Sequence, residues 1–215
     1  MGEGKLIIFD YDGTVVLSFS VFKESLRELF RKFHLEHAFE ESELEYMAKT
    51  TPKIWLPRML SKIPSNRRPK PEIVLETFRE TYSKIHLNLI KAAPNIHYVL
   101  RELREKGYML ALTTGRVLVS DFVPIELKHL KLNNLFDLIY IPNRPDKLET
   151  VKEIVEKLNV KNATIVGDSI DDIEAGKALS LKTIAVLYGF TSKEELLKHK
   201  PDFAINKIDE LLAIV

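Results

Sequence analysis

The stretch KLIIFDYDGT, residues 5–14, joins an apolar run to a pair of aspartates. The run has the length and composition of a buried β-strand. Side chains alternate along a strand, so Asp10 and Asp12 point to the same side of it. Gly13 lets the chain turn away sharply and brings backbone N–H groups towards whatever the carboxylates face. Two close carboxylates near an apolar strand end are costly unless a metal, a proton or another cation compensates them. A strand end with such acids and donors is where a phosphoryl-transfer site would lie. The alternative is a solvated acidic turn.

Composition limits the class of protein. The chain has 215 residues, enough for one ordinary domain or for a domain with a smaller insert. Its 32 basic and 31 acidic residues give a net charge of +1, so no overall field favours nucleic acid or an anionic membrane. It has no cysteine, and no apolar stretch approaches the roughly 20 residues of a membrane span. We expect a cytoplasmic protein with no nucleic-acid or membrane partner, and either a monomer or a homodimer.

Short apolar runs recur along the chain, and most are followed by helical patterns. They cover residues 6–9, 109–113, 138–141, 164–166, 183–186 and 203–205. The helical patterns include a stripe of apolar residues between Pro94, which suits a helix start, and Gly107, which suits a helix end. Strands that alternate with helices predict an α/β fold with a doubly wound parallel sheet.

The segment 16–93 breaks this alternation, because it shows no convincing strand pattern. Apolar residues in Phe22–Phe33 and Leu75–Leu89 step by three and four, as in packed helices. Between them, Ile63–Pro71 is too rich in proline and positive charge for a helix interior. We expect an all-helical cap domain, residues 16–93, inserted into an α/β core domain made of residues 1–15 and 94–215.

Polar motifs follow several of the predicted strands. In a parallel sheet, groups placed just after the strands converge at the carboxyl edge. Thr113–Arg116 offers a hydroxyl and backbone N–H groups for phosphate oxygens, and Asn143–Lys147 offers a cation. Together with residues 10–14 and an acidic stretch at Gly167–Asp172, these motifs predict one common site.

The acidic stretch Gly167–Asp172 contains three aspartates. If a helix starts near Ser169, Asp168 and Asp172 are four residues apart and lie on one side of its first turn. Asp171 is turned away by about 100°. Asp172 is therefore the better candidate for the site.

The order of these motifs resembles that of the haloacid dehalogenase-like superfamily. It runs Asp-x-Asp-Gly-Thr, strand-Thr-Gly, Lys, then Gly-Asp-Ser-x-x-Asp-Ile-x-Ala-Gly. The likeness is to the helical-capped phosphatases of the phosphoglycolate phosphatase and β-phosphoglucomutase type, whose cap lies between the first two motifs. It spans essentially the whole chain, and residues 167–176 are its most specific part. It implies a Rossmann-like α/β core with an inserted helical cap.

The resemblance also implies a role for each matching residue. Asp10 would be the nucleophile that takes the phosphoryl group, and Asp12 the acid that protonates the leaving oxygen and then activates water. Asp168 would hold Mg²⁺ together with Asp10 and the main-chain carbonyl of Asp12, and Asp172 would support that metal site. The substrate phosphate would be bound by Gly13, Thr14, Thr114, Gly115 and Lys147.

The site cation is less clearly marked, because the family usually has Lys-Pro where this chain has Arg-Pro at residues 144–145. We favour Lys147, which opens the next predicted helix, with Arg144 as the alternative. The chosen cation would neutralise Asp10 and the substrate, and it would complete the catalytic set with Thr114.

Asp12 separates the reactions known in the family. Members that displace halide from carbon lack this second acid and need no Mg²⁺, and the ion pumps carry threonine there. The resemblance thus implies a Mg²⁺-dependent phosphatase that acts on small phosphate esters through an aspartyl-phosphate. Two alternatives remain: a β-phosphoglucomutase-like phosphotransferase, and a non-enzymatic phospho-acceptor module like bacterial receiver domains. The insert after the first strand disfavours the phospho-acceptor module, because receiver domains have no large insert there.

Overall fold

The computed structural model describes residues 5–160 and 162–215. Its strands are β1 (Lys5–Asp10), β2 (Val16–Leu17), β3 (Lys91–Ala92), β4 (Met109–Thr113), β5 (Leu138–Tyr140), β6 (Asn162–Gly167), β7 (Lys182–Val186) and β8 (Phe203–Ile205). Its helices are α1 (Phe19–Lys32), α2 (Glu41–Ala48), α3 (Pro52–Ser61), α4 (Pro71–Leu89), α5 (Ile96–Glu105), α6 (Val123–His129), α7 (Lys147–Leu158), α8 (Ile170–Ala178) and α9 (Lys193–Lys198). No helix of the described residues is long and apolar enough to cross a membrane.

Six strands form one parallel sheet in the order β5-β4-β1-β6-β7-β8. The chain adds β4 and β5 on one side of β1, then crosses to the other side and adds β6, β7 and β8. This reversal next to β1 is the topological switch point at which ligands bind in open α/β sheets. The predicted α/β fold and all six predicted strands of the sheet are confirmed.

The predicted apolar stripes form the buried faces of the helices. In α5, Ile96, Val99, Leu100 and Leu103 are all fully buried. The helix ends as its sequence predicts, because Gly107 adopts φ +82° and its N–H donates to the Arg104 carbonyl. In α7, Val151 and Ile154 pack into a cluster with Leu6, Ile8 and Ile165 of the central strands. Burial of these faces fixes the polar strand ends at one edge of the sheet.

The chain divides into two compact units: the part up to Leu17 with Lys91–Val215, and Ser18–Ile90. The predicted absence of strands between residues 16 and 93 is wrong at both ends of this segment. There Val16 pairs with Ala92 and Leu17 with Lys91, so β2 and β3 form an antiparallel ribbon. Strands of two residues have no periodicity that a sequence can show, and their pairing depends on partners distant in the chain. The ribbon groups with the sheet rather than with the helices.

The unit Ser18–Ile90 contains the helices α1 to α4. Leu26, Leu29 and Phe30 of α1 are buried, as the predicted stripe requires. In α4 the rings of Phe78 and Tyr82 lie within an aromatic cluster that also includes Trp55 and Phe22. This aromatic core holds the helical unit together.

Candidate active site

Three acidic side chains meet at the carboxyl edge of the sheet. Asp10 ends β1, Asp168 directly follows β6, and Asp172 lies in the first turn of α8. All three are buried, and each offers a carboxylate oxygen within 4.8 Å of the other two. Asp171, on the same turn of α8, is exposed.

The start of α8 fixes the direction of Asp172. Ser169 is the N-cap: its hydroxyl oxygen accepts from the Asp172 N–H at 3.2 Å, and its own N–H donates to Oδ2 of Asp172 at 3.1 Å. This reciprocal capping box satisfies two backbone donors at the helix start. It also leaves Oδ1 of Asp172 on the side of the acidic cluster, where it lies 2.9 Å from Lys147 Nζ.

Lys147 supplies the cation at this cluster. It is the first residue of α7, and its Nζ donates to Oδ1 of Asp10 at 2.5 Å. The lysine side chain is 9% exposed. Arg144, the alternative in the sequence, is exposed in the loop before α7.

The cluster carries more negative than positive charge, and the pKa values reflect it. Burial raises the pKa of Asp10 well above its usual range; Lys147 opposes the rise, and the charges of Asp172 and Asp168 add to it. Burial also raises the pKa of Asp168 to about 7, against the lowering effect of its hydrogen bond from Phe190. Burial lowers the pKa of Lys147, but the charges of Asp10 and Asp172 outweigh this and keep it above its usual value. One lysine does not balance three carboxylates.

Asp168 is held on several sides by backbone and hydroxyl groups. The Phe190 N–H donates to Oδ2 at 2.6 Å, and the Thr14 hydroxyl donates to Oδ1 at 3.3 Å. Two glycines make room for the carboxylate, because a Cβ added at Gly13 or at Gly189 would lie 2.2 Å from its Oδ2. The Asp168 side chain is therefore fixed in one orientation, with its carboxylate in the cluster.

Asp12 lies beside this cluster and has a different partner. The Arg116 guanidinium donates to it twice, from Nε to Oδ2 at 2.7 Å and from Nη2 to Oδ1 at 2.6 Å. The Thr114 hydroxyl lies 3.4 Å from Oδ2 of Asp12. The same arginine donates from Nη1 to Glu126 of α6 at 2.8 Å. An acid, a hydroxyl and a buried ion pair are thus joined next to Asp10.

The structure brings six of the nine predicted site residues to one edge of the sheet through their side chains: Asp10, Asp12, Thr114, Lys147, Asp168 and Asp172. Three others have distinct surroundings. The Gly13 N–H donates to the Val16 carbonyl at 2.8 Å, Thr14 turns its hydroxyl to Asp168, and Gly115 is exposed. For Gly13 and Thr14, the local contacts are those of a support for Asp168.

Sequence reasoning missed four residues around the site: Arg116, Glu126, Tyr188 and Phe190. Arg116 ends the motif at residues 113–116, but nothing in the sequence indicates a role for it there. Tyr188 and Phe190 come shortly after β7, so the rule that groups after parallel strands converge could have found them. Tyr188 donates its hydroxyl to the Thr14 carbonyl at 2.8 Å. Glu126 lies within a short helix, and its sequence context carries no comparable signal.

These features together define the class of the protein. A model of the haloacid dehalogenase-like hydrolase family matches residues 7–186, and the chain belongs to this family. The resemblance seen in the sequence is thereby confirmed, and the protein is an enzyme of the phosphatase type within that family.

The individual relatives share only about a quarter of their residues with this chain. The chain is 24% identical to "Pyrophosphatase PpaX" of Bacillus cereus strain G9842, over 97% of this chain and 95% of the relative. It is 27% identical to a phosphoglycolate phosphatase of Aquifex aeolicus, over 98% and 96% of the two chains. Its fold matches that of a haloacid dehalogenase-like family hydrolase from Streptococcus pneumoniae with a TM-score of 0.81, covering 100% of this chain and 99% of that one at 21% identity.

Proposed function

We propose that the protein is a Mg²⁺-dependent phosphatase that hydrolyses small phosphorylated metabolites through an aspartyl-phosphate on Asp10. The observation that carries the proposal is the cluster of Asp10, Asp168 and Asp172 around Lys147, buried at the switch point of the sheet. The names of the two curated relatives, a pyrophosphatase and a phosphoglycolate phosphatase, describe enzymes that act on small phosphorylated compounds.

The donor set fits Mg²⁺. This ion prefers hard oxygen ligands, retains several waters and binds phosphate. Asp10 and Asp168 would hold it with the main-chain carbonyl of Asp12, and Asp172 would support the site. Burial, with a smaller contribution from the neighbouring carboxylates, raises the pKa values of Asp10 and Asp168, so a bound cation would favour the charged form of both groups. When bound, Mg²⁺ would neutralise charge on the phosphoryl group and on its acidic surroundings.

The role of Lys147 follows from the size of the repulsion that the nucleophile meets. A phosphate dianion about 4 Å from one carboxylate is opposed by about 8 kcal/mol at an effective dielectric constant of about 20. Lys147 already lies against Asp10, so its positive charge reduces this barrier before the substrate arrives. Thr114 and the N–H of Gly115 would hold phosphate oxygens at the same strand end.

The chemistry is a double displacement at phosphorus. A carboxylate oxygen of Asp10 forms a bond to phosphorus as the bond from phosphorus to the leaving oxygen breaks, and Asp12 donates a proton to that oxygen. Asp12 then takes a proton from a water molecule, whose oxygen attacks phosphorus. Inorganic phosphate leaves, and the Asp10 carboxylate is restored. Covalent catalysis of this kind divides one difficult displacement into two easier ones.

We assign residues 16–93 as a cap domain that excludes water during the first step and sets substrate specificity, and residues 1–15 with 94–215 as the catalytic core. We further propose a cytoplasmic enzyme, monomeric or homodimeric, whose partner is a small phosphate ester and not nucleic acid or a membrane. The near-zero net charge and the absence of cysteine support this setting.

The test is a panel of small phosphate monoesters and pyrophosphate, assayed for free phosphate with Mg²⁺ and with excess chelator. We expect phosphate release with at least one member of the panel, and a fall of about 10³-fold or more when the divalent cation is removed. Release that is unaffected by chelator would contradict the metal site. Isomerised sugar phosphate without free phosphate would identify the phosphomutase, and a stable aspartyl-phosphate without turnover would identify the phospho-acceptor module.

A further inference from the structure

Arg116 is bound to the proposed acid by a two-point contact. Two of its nitrogens, Nε and Nη2, donate to different oxygens of the Asp12 carboxylate at 2.7 and 2.6 Å. Such a fork fixes the plane of a carboxylate as well as its distance, which a point charge cannot do. The Arg116 side chain is 4% exposed, whereas that of Asp12 is 15% exposed. The arginine therefore approaches Asp12 from the more deeply buried side.

A second layer holds the arginine. Glu126 is fully buried, and its Oε2 accepts from Arg116 Nη1 at 2.8 Å and from the Tyr11 hydroxyl at 2.9 Å. The Arg116 guanidinium carbon also lies 4.9 Å from the centre of the Tyr11 ring. Tyr11 stands between the two aspartates of the first motif, so α6, the turn after β1 and the loop after β4 all contribute to this arrangement.

Stability is a weak explanation for this buried network. Removing charges from water is costly, and well-packed apolar residues of similar volume often stabilise a fold as much as a buried ion pair does. A buried network of this kind instead fixes the orientation of its members. Arg116 orients two groups at once, because its backbone N–H also donates to the Thr114 hydroxyl oxygen at 3.1 Å.

We propose that Arg116 is a positioning residue, which holds the Asp12 carboxyl group in the orientation needed for proton transfer to the leaving oxygen, with Glu126 and Tyr11 holding Arg116 in turn. Asp12 takes this proton from solvent before the ester reacts, while the Arg116 N–H groups keep donating to its oxygens, and passes it to the leaving oxygen. This inference rests on the proposed function, in which Asp12 serves that oxygen. Arg116 acts through Asp12, because all three nitrogens of its guanidinium group donate to Asp12 or to Glu126.

The test compares two esters whose leaving groups differ in their need for a proton. Ethyl phosphate releases an alkoxide unless a proton is supplied, whereas p-nitrophenyl phosphate releases a stable phenolate. Arg116→Lys keeps the charge and loses the fork. Arg116→Met with Glu126→Gln removes the fully buried Arg116–Glu126 ion pair, so that only the partly exposed Asp12 loses its contact with the arginine. For both variants we expect kcat/KM to fall about 10²-fold with ethyl phosphate and less than about threefold with p-nitrophenyl phosphate.

Two controls separate positioning from damage to the fold. In an Asp12→Asn background, Arg116→Lys should change kcat/KM for ethyl phosphate by less than about threefold, because the oriented group is already lost. Thermal unfolding of each variant gives the folded fraction at the assay temperature. Any loss of folded protein lowers the rates with both esters by the same factor.

Selective loss with ethyl phosphate that disappears in the Asp12→Asn background supports the positioning role. An equal loss with both esters, or no loss with either, overturns it while wild-type phosphate release leaves the proposed function intact. Wild-type protein that releases phosphate only from p-nitrophenyl phosphate also overturns the positioning role. Wild-type protein that hydrolyses neither ester nor any member of the wider panel overturns the proposed function, and the positioning role with it.

Discussion

Replacing Asp10 by asparagine is expected to lower phosphate release by about 10⁴-fold or more, the largest effect of any single substitution in the site. An amide has the size of the carboxylate but cannot accept the phosphoryl group as an activated ester. Asparagine also removes one of three crowded carboxylate charges, and Lys147 keeps its ion pair with Asp172, so the fold is expected to persist. The measurement is kcat with Mg²⁺ on the ester that the wild type hydrolyses best, with circular dichroism as the check on folding.

Asp171→Asn is the matched control for this substitution. Asp171 lies in the same turn of α8 as Asp172 but is exposed, so the identical chemical change should alter kcat by less than about twofold. A folded Asp10→Asn protein that retains more than about a tenth of wild-type activity would show that Asp10 is not the nucleophile.

Replacing Lys147 by methionine is expected to lower kcat by about 10³-fold. Methionine keeps much of the side-chain length but removes the charge that lies 2.5 Å from Oδ1 of Asp10 and 2.9 Å from Oδ1 of Asp172. The incoming phosphate then meets an Asp10 carboxylate whose charge is compensated by the metal alone. Breaking a buried ion pair also destabilises the fold by about 3–5 kcal/mol, so the assay needs a temperature at which the variant is folded.

Arg144→Met provides the comparison that the sequence left open. Arg144 is exposed in the loop before α7, so its loss should change kcat by less than about threefold. If Arg144→Met costs more turnover than Lys147→Met, with both proteins folded, the cation has been assigned to the wrong residue.

The sheet could be predicted from the sequence because its strands are local apolar runs that follow a simple rule. Runs such as Leu6–Phe9 and Thr183–Val186 are buried and bounded by polar residues, and the helices between them show clear apolar stripes. A parallel sheet then dictates that the ends of its strands share one edge. For this reason the sequence alone places Asp10 and Asp168, far apart in the chain, in one pocket.

Other features depend on contacts that no local pattern encodes. The β2–β3 ribbon joins residues 16–17 to residues 91–92, and strands this short have no readable period. Glu126 sits within the short helix α6, where nothing marks it as the partner of Arg116. Thr14 was predicted to bind phosphate, but which acceptor its hydroxyl finds depends on how closely Asp168 approaches. Partners of buried polar groups are set by tertiary packing, so such pairings are visible only in the structure.

The most direct measurement follows the phosphoryl group itself. Wild-type protein is mixed with Mg²⁺ and p-nitrophenyl phosphate, stopped with acid during turnover, digested, and mapped by mass spectrometry. We predict a phosphoryl adduct on the peptide that contains Asp10, present during turnover and absent once the ester is consumed, and no such adduct in Asp10→Asn. Steady phosphate release with no adduct on that peptide, or with the adduct on another residue, would show that phosphoryl transfer does not pass through Asp10.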